Sequence, residues 1–415
     1  MPVNYWRGDA QPIAQVVTIT ITADDAATTY IITINTKTVS VPGSGTGTAD
    51  TAAALQAALA ASTIAEFEEI TWTVSGSTVT GTATTAGVPF TATSSKSGGT
   101  GTIGAVTTTT TSQGPNDWNS VENWSLGRIP INGDDVVLYD SSVDLLYNLD
   151  HHTVTLSSLS IDSTYTGSLG LPRYNANGGY LEYRPTYLQI GVPVLRIGAG
   201  SGSGSGRIKI DSGSVAMTAS VYSTGAAIDQ GLPAVILKGT AAGSDGVNIL
   251  NVQQGTVGTC LEPGDACDWY EVNIGFQQAP ATDATVTLGH GCTLTQINQN
   301  GGVLSFYDSV TQLISYAGTA TAYFDADITT LDLQGGTLYF QSDGTIGSAT
   351  VGDGSTLDCS QDPRLKTITN LTMSPGSTFN DPNKQVTFTN PVYLRNCSLD
   401  QVALTLGQDV HIQRT

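Results

Sequence analysis

The chain has 415 residues with 15 Lys+Arg against 35 Asp+Glu, a net charge of −20, and 39% of its residues are hydrophobic. That balance repels phosphate backbones and anionic lipid, so nucleic acid and a membrane surface are poor partners, and no stretch reaches the ~20 apolar residues of a membrane span. Disorder is excluded as well, because 47 glycines punctuate short β-type runs with enough apolar residues to fill a core.

In chain order, residues 1–12 contain Trp6 within "NYWRGDA" and lack the ~7–15-residue apolar region of a secretory signal, so export by that route is not expected. The Arg7-Gly8-Asp9 tripeptide is too short to carry weight and is discounted. Residues 13–112 differ from the rest in being rich in Thr, Ala, Ser and Val. "VVTITI" (16–21) and "TTYIITINTKTVSV" (28–41) alternate polar and β-branched residues, the period of half-buried strands. "GTADTAAALQAALAAST" predicts a helix of about three turns, capped by Asp50 or Thr51 and burying Leu55 and Leu59. "EITWTVSGSTVTGTA" predicts a hairpin turning at Ser75-Gly76-Ser77, and "VPFTATS" a further strand. The expectation is a small β-β-α-β-β-β domain, ending in a Gly/Thr tract that reads as a linker or weak edge strand.

Residues 113–135 hold two tryptophans, Trp118 and Trp124, among Asn, Asp and Ser, followed by Pro130, Asn132-Gly133 and an apolar strand from Val136. From Val136 to Ile412 no helix pattern occurs, and short strands alternate with Gly, Asn, Asp and Ser turns. The glycines at 302, 318, 336, 354 and 376 are spaced 16, 18, 18 and 22, a ragged repeat of the kind produced by solenoid coils with loops of varying length. Each coil offers a few inward residues, Ile297 with Leu304 or Leu331 with Leu338, which only stacking can bury. The fold expected for 136–415 is a right-handed parallel β-helix of roughly 14 coils, about 65 Å long at ~4.8 Å per coil. Its open end needs a cover, which the indole rings of Trp6, Trp118 and Trp124 supply while their N–H groups reach polar loop atoms; a ligand-stacking platform is the rival role. If Trp6 packs with the 113–135 segment, residues 13–112 are an insertion between two parts of one cap.

Chemical motifs are weak throughout. "GAGSGSGSGRIKID" (198–211) has the glycine density of a phosphate loop, but it leads into a strand and reads as a flexible projecting loop. His151 and His152 point to opposite faces of a strand, while His290 and Cys292 share a face without further ligands, so no metal or other cofactor is expected. Cys260 and Cys267 in "CLEPGDAC" could close a small disulfide or remain reduced thiols. Asp325 with Asp327, and Asp134 with Asp135, are carboxylate pairs of the type glycosidases use, but acids are common in turns, and no catalytic constellation is assigned. The Asn-X-Ser/Thr sites at Asn123, Asn370 and Asn396 matter only in a glycosylating compartment.

The stretch "DWNSVENWSLGRIPINGDDVVLYDSS" resembles the segment that leads into the first coil of autotransporter-like β-helix surface proteins. The 13–112 unit and "YLEYRPTYLQIG…GSGSGRIKID" are similar to uncharacterised bacteriophage and prophage virion-associated proteins, including those of planctomycete-like genomes. This resemblance implies a non-enzymatic virion structural protein, assembled in the host cytoplasm and placed on the particle surface as a capsid-decorating, head-fibre or attachment protein. A tail spike or fibre that binds or cleaves host-surface glycan, and a bacterial cell-surface adhesin, are the alternatives. The partners the resemblance implies are other capsid or tail proteins, further copies of the chain, with a trimer as the common arrangement of β-helical virion proteins, and a host glycan.

Overall fold

The computed structural model describes residues 2–244, 246–276, 279–407 and 409–414. The protein is mainly β and has two separate hydrophobic cores, one running from Trp6 and Trp118 to Leu394 and the other confined to residues between Val17 and Phe90.

The smaller core belongs to the N-terminal unit. Val16–Ala23 pairs antiparallel with Thr78–Ala83, which forms a hairpin with Ile70–Ser75 through Gly76-Ser77. A second sheet joins Lys37–Pro42, Thr29–Ile34 and Ala92–Ser97. The single strand expected over 28–41 is thus a hairpin: Asn35 adopts φ 57°, which reverses the chain at a residue type that tolerates the left-handed region. The helix Thr48–Ala60 buries Ala52, Leu55 and Leu59 as expected, but Gly47 is its N-cap and no side chain caps it. Thr51 lies inside the helix, where its hydroxyl donates instead to Asp24. The Gly/Thr tract supplies two edge strands, Thr102–Ile103 and Thr107–Thr110, on Val16–Ala23. Ile13 and Gln113 exchange backbone hydrogen bonds of 2.8 and 3.3 Å, so the unit leaves the chain where it entered.

The larger core lies within a parallel sheet that contains 25 strands among the described residues. Most strands pair not with the next strand in sequence but with the one after it, which gives two interleaved series. In the first series the register is unbroken from Asn4 through Val136, Leu159, Leu195, Ala219, Leu250, Val272, Ile297, Leu313, Leu331, Ala349, Leu371 and Val392 to Ile412. The second series places Ile208, Val235, Val257, Val286, Leu304, Ala320, Leu338, Leu357, Phe379 and Leu404 in line. Ile297, Leu304, Leu331 and Leu338 are all buried, and each of the two expected pairs contributes one residue to each series.

The successive partners Ile297, Leu313, Leu331, Ala349 and Leu371 are offset by 16, 18, 18 and 22 residues, the same intervals as the glycines. Gly302, Gly318, Gly336, Gly354 and Gly376 all have positive φ, between 68° and 96°, so each marks a corner where the chain turns from one series to the other. Two strands, Cys292–Phe306 and Val310–Phe324, run through such corners for 15 residues each, longer than the short strands the sequence suggests. Their pairing continues across the bend, with local register shifts near Asn300.

Candidate functional site

At the amino end, Trp6 bridges Trp124 through the backbone, and three indoles meet edge to face: Trp6–Trp124 at 5.1 Å and Trp118–Trp124 at 4.7 Å between ring centroids. All three are at most 2% exposed, and Trp118 also lies 5.1 Å from the His151 ring. Only Trp124 donates its indole N–H, to the Trp118 carbonyl at 2.8 Å; those of Trp6 and Trp118 are buried without a partner, contrary to the expectation that each reaches a polar loop atom. The polar work is done by Asn123, which is fully buried. Its side-chain amide donates to the carbonyls of Gly114 and Asp117, both at 2.8 Å, and its Oδ1 accepts from the Ala10 N–H at 2.8 Å. A single side chain thus ties residues 10, 114 and 117 together, a role hidden behind its glycosylation-type motif.

Of the carboxylates singled out in the sequence, three accept hydrogen bonds from separate partners. Asp134 is buried and accepts from both terminal nitrogens of Arg128 at 2.6 and 2.9 Å, whereas Asp135 accepts from Ser158. Asp327 accepts the Thr345 N–H in a turn, and Asp325 is exposed. The guanidinium of Arg128, against the opposing effect of burial, holds the Asp134 carboxyl below its ordinary value of 3.8. Because the folded value is depressed, the stabilisation is present above the unfolded value and is lost as pH falls through the folded one. Asp134→Asn is therefore expected to reduce the loss of thermal stability between about pH 5 and pH 3, as followed by calorimetry.

His151 and His152 do separate, the first packed on Trp118 and the second exposed beside Asp150. His290 and Cys292 do not share a face. Gly291 between them has φ 97°, which breaks the two-residue alternation, so His290 is exposed and Cys292 buried. The 198–206 loop does not project freely: Gly202 and Gly204 donate to Ser163, and a Cβ on Gly202 would lie 2.1 Å from the Ser163 carbonyl. A different loop leaves the sheet to make a long-range contact. Residues 173–184 touch the N-terminal unit, where Arg184 donates to Glu69 at 2.5 Å and to the Pro89 carbonyl at 2.6 Å; a cleft of about 450 Å³ opens beside it, lined in part by Glu68, Tyr147 and Asn175.

The most site-like feature was not anticipated. At one corner of the parallel sheet, Phe306 pairs with Ala322 and Ala322 with Phe340, so the residues that follow them are brought into line at the interstrand spacing. Tyr307 and Tyr323 consequently stack, with centroids 4.9 Å apart and planes 18° apart. Phe324 lies 5.6 Å from Tyr307, and His290 lies 5.3 Å from Tyr307 and 5.4 Å from Phe324. Phe324 has φ 53° and is 49% exposed, next to a half-buried Tyr323; a bulky residue in the left-handed region pays about 1–2 kcal/mol in strain. Asp308, Asp325 and Asp343 rim the shelf, and Arg364 sits 5.8 Å from the Phe324 ring, held by Asp362 and the Gln341 carbonyl. The sequence signal was an aromatic residue after each of two consecutive inward positions, legible only once the register is known.

Among the described residues, the group able to hold a metal ion is Cys260, Cys267 and Cys292. No protein-family model, curated protein or solved structure matches the chain.

Proposed function

We propose that residues 136–414 form a right-handed parallel β-helix and that the chain is a non-enzymatic structural protein of a virion surface, a capsid-decorating or head-fibre protein that attaches to saccharide through its aromatic shelf. Supporting the winding, strands that return parallel to one another by crossover connections are right-handed in nearly all known cases, and the two register series alternate along the chain as coils require. The virion assignment rests on the sequence resemblance together with this architecture: a stiff column closed at one end by buried indoles suits a particle appendage.

The observation that carries the attachment role is the Tyr307–Tyr323–Phe324 shelf. The exposed Phe324 ring and the half-buried, co-aligned Tyr307 and Tyr323 rings offer apolar surface to the C–H faces of sugar rings, and the surrounding carboxylates accept hydroxyl hydrogens and fix orientation. The strained Phe324 backbone is the kind of local cost that marks a binding position. With acids on the rim and a chain charge of −20, neutral saccharides are favoured over anionic ones.

A panel of neutral and anionic polysaccharides tests this. Retention of neutral glycan without released sugar is expected, and loss of retention in Tyr307→Ala/Tyr323→Ala. Binding unchanged in that variant would remove the shelf from the function, and released sugar would make the protein a depolymerising spike. Phe324→Gly is expected to change the unfolding free energy by no more than about 1 kcal/mol, because relieved strain offsets lost ring contact, while weakening retention.

A further inference from the structure

The segment "CLEPGDAC" leaves the core at Cys260 and returns to it at Cys267. Cys267 is the register partner of Cys292, 25 residues on, so a third thiol reaches the same place from the next level of the sheet. All three are at most 5% exposed and unbonded to one another, and their sulfur atoms lie within 4.8 Å of one another. A metal equidistant from three sulfurs at the ~2.3 Å of a metal–thiolate bond sets those sulfurs about 4 Å apart, so sub-ångström rotamer adjustments close the site.

The surroundings favour a thiolate over a merely packed thiol. The Trp269 indole N–H donates to Thr259 Oγ1 at 3.1 Å, which leaves the Thr259 hydroxyl hydrogen free to point at Cys267 Sγ, 2.9 Å away. The loop above is pinned from outside: Lys238 pairs with Asp265 at 3.2 Å and Lys209 lies 3.7 Å from Glu262, both cations lying over the Tyr187 ring. Pro263, Gly264 and Ala266 are exposed, so a short loop is all that separates the sulfurs from solvent.

We propose that Cys260, Cys267 and Cys292 form a three-sulfur site for a soft, thiophilic metal ion, with cuprous copper as the ion that fits. Softness restricts the choice to ions such as Cu(I) and Zn(II). Structural zinc takes four ligands, and among the described residues the group contains no fourth His, Cys, Asp or Glu donor, whereas cuprous copper is content with three. Each ligating thiol gives its proton to solvent on binding, so affinity rises with pH. The bound ion would clamp three points, two of them the ends of one loop, at mid-column.

The test uses the full chain, reduced and anaerobic, titrated with Cu(I) against the competing chelator bicinchoninate. One equivalent should be retained, X-ray absorption should show three sulfur neighbours, and the thermal midpoint should rise with copper. Cys267→Ser should weaken binding about a hundredfold and Thr259→Val about tenfold, as expected for a group that orients a ligand, while Cys359→Ser, buried elsewhere in the core, should bind as the parent does. If Cys267→Ser fails to fold, the absorption spectrum of the parent protein decides. Copper stripped by the chelator, nitrogen or oxygen neighbours, preferential retention of zinc, or a Cys260–Cys267 disulfide in the untreated protein would each overturn the assignment.

Discussion

Replacing Trp124 with alanine is expected to lower the stability of the parallel-sheet region by about 3–5 kcal/mol. The ring is 1% exposed and is the middle of the three indoles, so its loss leaves a cavity touching both Trp6 and Trp118. It also takes away the hydrogen bond donated to the Trp118 carbonyl. Neither neighbour can move into the space freely, because Trp6 is held by its backbone bridge to residue 124 and its own N–H to the Val137 carbonyl. Trp124→Phe keeps most of the volume and should cost roughly half as much. Calorimetry is the suitable readout, since two cores need not melt together. A transition unmoved by Trp124→Ala would show that the indoles contribute nothing to closing this end.

The second large effect is expected at a corner. A Cβ on Gly336 would lie 2.4 Å from the Gly318 carbonyl oxygen, and the residue has φ 82°, so Gly336→Ala combines backbone strain with a clash against another strand's backbone. A loss of about 3 kcal/mol or more is expected. Gly354 provides the control, because it has φ 69° but nothing within 4 Å of its Cβ position; Gly354→Ala should cost only about 1 kcal/mol. Equal effects at the two positions would mean that close stacking of successive corners is not what requires glycine.

These corners also explain how much of the fold could be read in advance. Between Ile297 and Leu371 the loops are short, the pairing offsets stay between 16 and 22, and the glycine intervals report them directly. Nearer the amino end the offsets from Val136 to Leu159, Leu195, Ala219 and Leu250 are 23, 36, 24 and 31, because loops such as 173–184 leave the sheet to meet the N-terminal unit, and no period survives. Burial of Ile297, Leu304, Leu331 and Leu338 follows from alternation alone. The aromatic shelf and the thiol cluster do not, since each joins residues from different levels whose meeting depends on register: Tyr307 with Tyr323, and Cys267 with Cys292. The local errors have local causes. Alternation predicts a shared face for His290 and Cys292, but it holds only where φ is negative, and Gly291 violates that condition.

The central claim is that successive strands stack in parallel at one-level offsets, and a cross-level disulfide tests it most directly. Thr330 pairs with Ser348, and Ser348 with Asn370, with Thr330 and Ser348 both exposed. Neighbouring strands lie ~4.8 Å apart, within the reach of a disulfide, whereas two levels are roughly 9.6 Å apart and beyond it. Under mild oxidation Thr330→Cys/Ser348→Cys should therefore form an intramolecular bond in the folded protein, detected by peptide mass mapping, and Thr330→Cys/Asn370→Cys should not. A 330–370 bond forming as readily as 330–348, or no 330–348 bond at all, would contradict the stacked parallel register.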